Sequence, residues 1–217
     1  MTAPLRAAAI LAGMLLMTDA SAQTGLIEAA ERGDVAAVER AIAAGADLEQ
    51  RDGQRRTPLL LAVAGNHIRV AKALLAAGAS PNAQAANQDT PWLLAGASGR
   101  SEIIAAMLPL KPDLSIRNRY GGNALIPACE RAHVETVELL LTSGIDVNHV
   151  NHLGWTCLLE IVILGDGGRR HQQVAKLVLA AGADPNFADK DGVSPLQHAR
   201  QRGQNEVARL IAAAGGR

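Results

Sequence analysis

Aromatic residues are scarce in this 217-residue chain, which has two tryptophans, one tyrosine and one phenylalanine. Hydrophobic residues nevertheless make up 48% of the sequence, and alanine and leucine dominate them. Small and branched aliphatic side chains in such numbers suit closely packed short helices better than a β-sandwich. The composition therefore predicts an all-α protein, and the length fits one domain or a short repeat array.

An excess of either charge is also missing, because 21 lysines and arginines balance 21 aspartates and glutamates. A neutral chain lacks the overall positive field expected of a general nucleic-acid binder. We therefore expect no nucleic-acid partner, although a local basic patch is compatible with this balance.

The motifs of common enzyme chemistry are missing too: a glycine-rich phosphate loop with its lysine, C-x-x-C and H-E-x-x-H. The one glycine cluster, Gly165-Asp166-Gly167-Gly168, has neither the span nor the strand–turn–helix context of a nucleotide site. An insertion loop explains it better. We expect a protein that is not an enzyme and uses no cofactor.

The N terminus has the pattern of a secretory signal. Arg6 precedes an apolar run of 11 residues, 7–17, and Ala20-Ser21-Ala22 supplies a small-x-small cleavage site. Eleven apolar residues are too few for a transmembrane helix, which needs about 20. The pattern predicts a signal peptide over 1–22, cleaved near Ala22–Gln23, and a mature domain over 23–217 in the periplasm, with no stable membrane insertion.

An internal repeat organises the mature chain. The segment Thr57-Pro58-Leu59 recurs in modified form at steps of 33, 33, 33 and 38 residues, beginning at Thr90, Asn123, Thr156 and Ser194. A second marker keeps the same spacing: Gly45, Gly78, Lys111, Gly144, Gly182 and Gly215. Two markers in one register predict six units: about 24–51, 52–84, 85–117, 118–150, 151–188 and 189–217.

Each unit has the pattern of two short helices joined by a tight turn. Threonine or serine, usually followed by proline, is a favoured helix start. Between the helices comes a position that favours a left-handed backbone, occupied by Gly33, Asn66, Gly99, Ala132 and Gly203. Ala132 alone tolerates it poorly, at a cost of about 1 kcal/mol. A polar stretch, typical of a hairpin-like turn, leads to the next unit.

This pattern resembles the ankyrin repeat, with its T-P-L-H-x-A core and L-L-x-x-G-A-D ending. The nearest matches here are Thr57-Pro58-Leu59, residues 194–199 and residues 179–184. The chain departs from it where Lys111-Pro112 replaces Gly-Ala, which predicts a less regular loop in unit three. The resemblance implies an all-α ankyrin-repeat solenoid that binds another protein.

Cys129 and Cys157 are an even pair in a chain predicted to be exported, which favours a disulfide. The repeat register favours free thiols instead. It places Cys157 at the start of one helix and Cys129 five residues further along the corresponding helix of the preceding unit. Helix spacing of about 8–10 Å and an axial offset of about 7.5 Å together exceed disulfide reach.

The histidines allow a metal hypothesis. His149, His152 and His171 could converge with Asp166 on an ion. Solvated loop histidines are more common, so we expect no metal site, and a missing melting-temperature rise under excess Zn²⁺ would exclude one. Small-ligand or metal sensing through Gly165–Gln173 remains the alternative function, and a DNA regulator becomes one only if the chain is not exported.

The ankyrin resemblance implies that hairpin tips and the concave ends of the helices contact the partner. In units four and five these positions carry aromatic and arginine residues, which are enriched in interface hot spots. The five extra residues of unit five are expected to lengthen its inter-helix turn, often on the binding face. Trp155 could instead brace its hairpin. We expect a monomer that binds an acidic protein surface through Arg117, Arg119, Tyr120, Arg131, His152, Trp155, Asp166, Arg169 and Arg170.

Overall fold

The computed structural model describes residues 25–217, so the predicted signal segment and its cleavage site lie outside the described residues. Residues 25–217 form twelve α-helices and no strand, two helices in each of the six predicted units. The first helices of the units are α1 (25–32), α3 (Pro58–Ala64), α5 (Pro91–Ala97), α7 (Leu125–Glu130), α9 (Cys157–Ile163) and α11 (Pro195–Gln201). The second helices are α2 (Val35–Ala43), α4 (Ile68–Ala76), α6 (Ser101–Met107), α8 (Val134–Leu141), α10 (Arg169–Ala180) and α12 (Asn205–Ala213). The all-α solenoid is thereby confirmed.

The repeated Thr-Pro-Leu segment starts the first helices as the sequence predicts. The side chains of Thr57, Thr90 and Thr156 accept a hydrogen bond from the backbone N–H three residues later. Asn123 performs the same role, accepting from the N–H groups of both Leu125 and Ile126. Each such bond satisfies a donor that the helix itself leaves unpaired.

One continuous hydrophobic core runs through the stack. From α3 onward, each helix packs on its partner in the unit and on the corresponding helix of a neighbouring unit. The third residue of the repeated segment is at most 2% exposed in every case: Leu59, Trp92, Leu125, Leu158 and Leu196. Full burial of one such side chain stabilises the fold by roughly 1.5–3 kcal/mol. Trp92 is therefore a core residue, as its position in the repeat predicts.

The turns confirm two expectations of backbone strain and irregularity. Ala132 has a φ angle of 50°, in the left-handed region where a Cβ atom is unfavourable. In unit three, α6 continues into a short 3₁₀-helix, Leu108–Leu110, and Lys111 follows with a φ of 49°. The Lys-Pro pair thus occupies the irregular loop that the sequence predicts.

The expectation of free thiols was wrong, because Cys129 and Cys157 form a disulfide with their Cα atoms 5.6 Å apart. The helices α7 and α9 are shifted along their axes by about the five-residue offset between the two cysteine positions. This shift brings the cysteines level with each other. Gly96 shows the same stagger one unit earlier: a Cβ added there would lie 2.6 Å from the carbonyl oxygen of Ala124. The two facing surfaces are also closer than the 8–10 Å between helix axes, since Cα atoms lie about 2.3 Å off the axis.

The expectation for the unit-five insertion was only partly correct. The connection 164–168 is two residues longer than its counterpart 65–67, so the turn does lengthen. The other three extra residues extend a helix, because α10 has 12 residues whereas α4 and α12 have 9. Arg169 and Arg170 therefore lie on the added first turn of α10.

None of the helices described over 25–217 is both long and apolar enough to cross a membrane.

Candidate functional site

A cavity of about 300 Å³ lies between the hairpin tips and the first helices of units four and five. We call it the unit 4–5 groove. Its lining residues come from two hairpins, from α7 and α9, and from the residue that follows α9: Asn118, Tyr120, Gly122, Ile126, Pro127, Glu130, Asn151, His152, Leu153, Glu160 and Leu164. The groove therefore joins positions on both units at their hairpin side.

Exposed apolar side chains are concentrated at this groove. Tyr120, Leu153 and Leu164 are 59%, 55% and 53% exposed, and they are three of the four large hydrophobic residues exposed within 25–217. The fourth, Leu110, lies in the 3₁₀-helix of unit three and does not line the groove. Clustered exposed apolar side chains mark interaction sites more often than scattered ones do.

Local contacts hold the Tyr120 tip in place. The Arg119 guanidinium lies 4.7 Å from the centre of the Tyr120 ring, within cation–π range, and approaches the Asp89 carboxylate at 3.8 Å. The backbone N–H of His152 donates to the Tyr120 carbonyl oxygen at 2.9 Å, linking the two hairpins. The structure thus brings Tyr120 and His152 together.

Glu160 is the unusual residue of the groove. It is 4% exposed, and its Oε1 accepts a hydrogen bond from Asn151 Nδ2 at 2.8 Å. Its Oε2 is buried and has no hydrogen-bond partner in the described part of the chain. Burial, with a smaller contribution from the nearby Glu130 carboxylate, raises the pKa of Glu160 to about 7.

In unit six, the residue at the position of Glu160 has a hydrogen-bond partner. His198 occupies the Glu160 position, and its Nε2 bonds to Asp189 Oδ2 at 2.7 Å. The hydrogen bond from the histidine is the largest cause that lowers the pKa of Asp189. In units two and three the position holds Leu61 and Leu94. A buried carboxyl with one unpartnered oxygen is therefore particular to unit five among these units.

Other predicted residues have structural roles at this side of the stack. Trp155 is half-buried against the core. Its backbone N–H donates to Asn151 Oδ1 and its carbonyl oxygen accepts from the Asn151 backbone N–H, both at 3.1 Å, which closes the unit-five hairpin. Arg117 donates to the carbonyl oxygens of Leu114 and Ile116, and Arg131 donates to that of Ala97. Neither Trp155 nor these arginines line the groove.

The predicted residues of the insertion lie on a different surface. Arg170 lines a polar cavity of about 450 Å³ at the N-terminal ends of α6, α8 and α10, which shares no lining residue with the groove. Its Nε also donates to the Ala132 carbonyl oxygen at 3.1 Å. Asp166 is bonded to His171, and Arg169 is an exposed residue of α10. The predicted set thus divides between two surfaces.

Four of the six histidines, His67, His149, His171 and His198, use their rings in hydrogen bonds. His67 Nε2 donates to the Glu31 carbonyl oxygen at 3.0 Å, and His171 Nε2 makes the corresponding bond to Glu130 at 2.9 Å. Burial is the main cause that lowers the pKa of His133. His149 Nε2 donates to the Gly121 carbonyl oxygen at 2.6 Å. Over residues 25–217, no group of three His, Cys, Asp or Glu side chains is arranged to hold a metal ion.

Sequence reasoning missed Glu160 and Leu164 in the groove. Glu130 and Leu153 stand at positions that the ankyrin resemblance marks for partner contact, but the predicted contact set did not include them. Glu160 had a usable signal, because it is the one charged residue in the helix Cys157–Ile163. A second cavity, of about 580 Å³, lies at the matching place in units two and three and was also missed. Its lining includes Leu60 and Leu94, together with the Arg56 and Asp89 side chains. The small tip residues of those units leave this larger space.

The chain is similar to known proteins over most of its length. The family described as "Ankyrin repeats (3 copies)" matches residues 8–85 and 81–151. An ankyrin-repeat domain from Acinetobacter baumannii AYE is 47% identical, with a TM-score of 0.85 over 88% of this chain and 98% of that domain.

Two further proteins are similar to parts of the chain. The ankyrin repeat protein YahD of Escherichia coli (strain K12) is 48% identical over 114 residues, which is 52% of this chain and 57% of YahD. The chain thus aligns with little more than half of YahD. Cyclin-dependent kinase 4 inhibitor B of Bos taurus is 35% identical over 99 residues, 45% of this chain and 71% of that protein. Ankyrin repeats generally mediate protein–protein interaction, and the chain belongs to the ankyrin-repeat family.

Proposed function

We propose that this protein is exported to the periplasm and there binds a partner protein, as a monomer, through the unit 4–5 groove. The observation that carries the proposal is the meeting of Tyr120, Leu153 and Leu164, all more than half exposed, around one cavity. An aromatic residue held rigidly at an exposed tip is a common interface anchor. The kinase inhibitor among the relatives is likewise named for acting on another protein.

The surroundings of the groove suit a partner with an acidic surface. Arg119 and Arg131 are partly exposed and lie on the hairpin and first-helix side of unit four. Their bonds to Asp89 and to a backbone carbonyl hold the guanidinium groups in fixed positions. Pre-placed positive charges raise association rates and fix orientation more than they add affinity. Arg169 and Arg170 extend the positive charge to the second-helix side.

Two observations support export. Residues 1–22 have the pattern of a signal peptide, and the Cys129–Cys157 disulfide is a bond that persists in oxidising compartments. Fusion of residues 1–30 to a reporter that is active only in the periplasm tests this part directly. An active reporter is expected, and a reporter confined to the cytoplasm would contradict export.

Affinity capture with matched variants tests the binding surface. The bait proteins are the wild type, the double variant Tyr120→Ala/Leu153→Ala, and Leu110→Ala as the control. Leu110 is also an exposed leucine, at 45%, but it lies outside the groove. We expect the wild type and the control to retain the same periplasmic protein and the double variant to lose it. Equal capture by all three would show that the groove is not the binding surface.

A further inference from the structure

The charges that line the unit 4–5 groove are all of one sign. Two carboxylates, Glu130 and Glu160, border it, and no lysine or arginine is among its lining residues. Neither carboxylate forms an ion pair with any residue of the described chain. The arginines of unit four do not fill this role, since Arg119 approaches Asp89 and Arg131 donates to Ala97. The groove is thus apolar at its rim and acidic inside.

The Glu160 side chain is incompletely satisfied. Asn151 occupies its Oε1, whereas Oε2 is buried without a donor. A buried oxygen without a hydrogen bond destabilises the folded protein, and more so when it is charged. Most buried polar groups in folded proteins find a partner, and Glu160 Oε2 can accept a hydrogen bond from a donor that enters the groove.

We propose that the unit 4–5 groove takes one lysine or arginine side chain of the partner, whose cationic head bonds to Glu160 and whose methylene stem lies against the apolar rim. This inference rests on the proposed docking of a partner in that groove. Apolar stems of lysine and arginine commonly lie along hydrophobic surface while the head reaches a polar group. The groove supplies both parts, with Leu153, Leu164 and Tyr120 for the stem and two carboxylates for the head.

Access to Glu160 requires that a neighbouring side chain moves. Oε2 is covered in the free protein, so the entering side chain must displace a neighbour. Leu153 and Leu164 are more than half exposed, and exposed side chains change rotamer within nanoseconds. The raised pKa of Glu160 leaves the free carboxyl close to half protonated near neutral pH, and a bound cation favours its ionised form.

The proposal is compatible with a partner whose surface is acidic overall. The arginines outside the groove contact that surface, whereas only one basic side chain enters. The second cavity has Leu94 at the position that corresponds to Glu160. Its lining carboxylate, Asp89, is accompanied by Arg56 in the lining and approached by Arg119. We therefore assign the basic anchor to the groove of units four and five and not to the second cavity.

Selection from a library of random 12-residue peptides tests the proposal. The library is selected in parallel against the wild type and against Glu160→Gln, a substitution that keeps the shape and the acceptor for Asn151. We expect the wild type to enrich peptides with one lysine or arginine flanked by apolar residues, and Glu160→Gln to lose that preference. In the best peptide, replacing the lysine by norleucine should weaken wild-type binding at least tenfold. The same replacement should change binding to Glu160→Gln less than twofold.

The outcomes separate this inference from the proposed function. Peptides that bind through the groove, and so fail on Tyr120→Ala/Leu153→Ala, but carry no basic residue would overturn only the inference. Enriched peptides that bind this double variant as well as the wild type, or no enrichment at all, would overturn both. If Glu160→Gln does not fold, the norleucine comparison on the wild type still decides. Glu130→Gln is a second variant, expected to weaken binding two- to fivefold.

Discussion

Cys129 and Cys157 are bonded at the same pair of repeat positions that brings Gly96 against Ala124 one unit earlier. In each pair, the first residue lies six positions after the start of one repeated segment (Thr90 or Asn123). The second residue directly follows the start of the next segment, 28 residues later. Consecutive first helices approach each other closely at this place. A covalent bond joins Cys129 to Cys157. In the other pair, Gly96 has no side chain and leaves room for the backbone of Ala124.

The disulfide should contribute substantially to stability. It closes a loop of 28 residues, and the chain-entropy relation gives about 3–4 kcal/mol for such a loop. We expect Cys129→Ala/Cys157→Ala to lower the free energy of unfolding by about that amount in urea titrations. The wild type unfolded in the presence of a reductant is the control and should match the double variant. Equal stability of the oxidised and reduced wild type would contradict this prediction.

Gly96→Ala should destabilise the fold although alanine is the better helix former. A Cβ at residue 96 would lie 2.6 Å from the Ala124 carbonyl oxygen, and backbone there cannot easily move. Overpacking of this kind costs about 1–3 kcal/mol, more than the gain in helix propensity of at most about 1 kcal/mol. Gly25→Ala is the control, because a Cβ there meets nothing within 4 Å. Thermal unfolding in which both variants gain stability would refute the close contact.

Trp155→Ala should act on stability rather than on binding alone. Trp155 is half-buried against the core, so its loss should cost about 1–3 kcal/mol, part of the 3–5 kcal/mol typical of fully buried tryptophan. Tyr120→Ala, at a residue that is 59% exposed, should cost less than about 1 kcal/mol. Chemical denaturation of the two variants separates the roles. A larger loss for Tyr120→Ala would mean that the assignments are reversed.

Glu160 should make stability depend on pH. Its pKa is about 7 in the folded protein and about 4.5 in the unfolded chain, so the folded state binds more protons between these values. Stability contributed by this residue therefore falls as the pH rises from about 4.5 to 7, by about 3 kcal/mol in total, and levels off above that range.

The comparison between the wild type and Glu160→Gln isolates this effect. His133 changes stability in the opposite direction, because its lowered pKa costs stability as the pH falls below 6.5. Subtraction of the variant's unfolding free energy from that of the wild type at each pH removes the contribution of His133. The difference should decline steadily from pH 4.5 to 7, and a flat difference would exclude a strongly raised pKa for Glu160.

The repeat determined how much of the fold was predictable. The 33-residue period and the Thr-Pro-Leu segments predict six helix pairs, and even the strained Ala132 follows from its position. The disulfide did not follow, because the stagger between neighbouring first helices is a property of their packing and not of either helix alone. The repeat register predicts the axial offset between the positions of Cys129 and Cys157. It does not predict the stagger between the two helices, which cancels that offset.

The candidate site was only partly predictable for a similar reason. Tyr120 and His152 were found because hairpin tips have fixed positions in the repeat. Residues of the insertion were assigned to the same surface, but three of the five extra residues extend α10 and carry Arg170 to a different cavity. Glu160 lies in an otherwise apolar helix, and its unpartnered oxygen is visible only when the neighbouring helix and hairpin are in place.

Site-specific photo-crosslinking in living cells tests the central claim most directly. A photoreactive phenylalanine analogue is placed at residue 120 in the groove or at residue 110, the exposed leucine outside it. We predict that position 120 yields one discrete crosslinked protein of the periplasm and that position 110 does not. No crosslink at position 120, or the same crosslink from both positions, would contradict partner binding through the unit 4–5 groove.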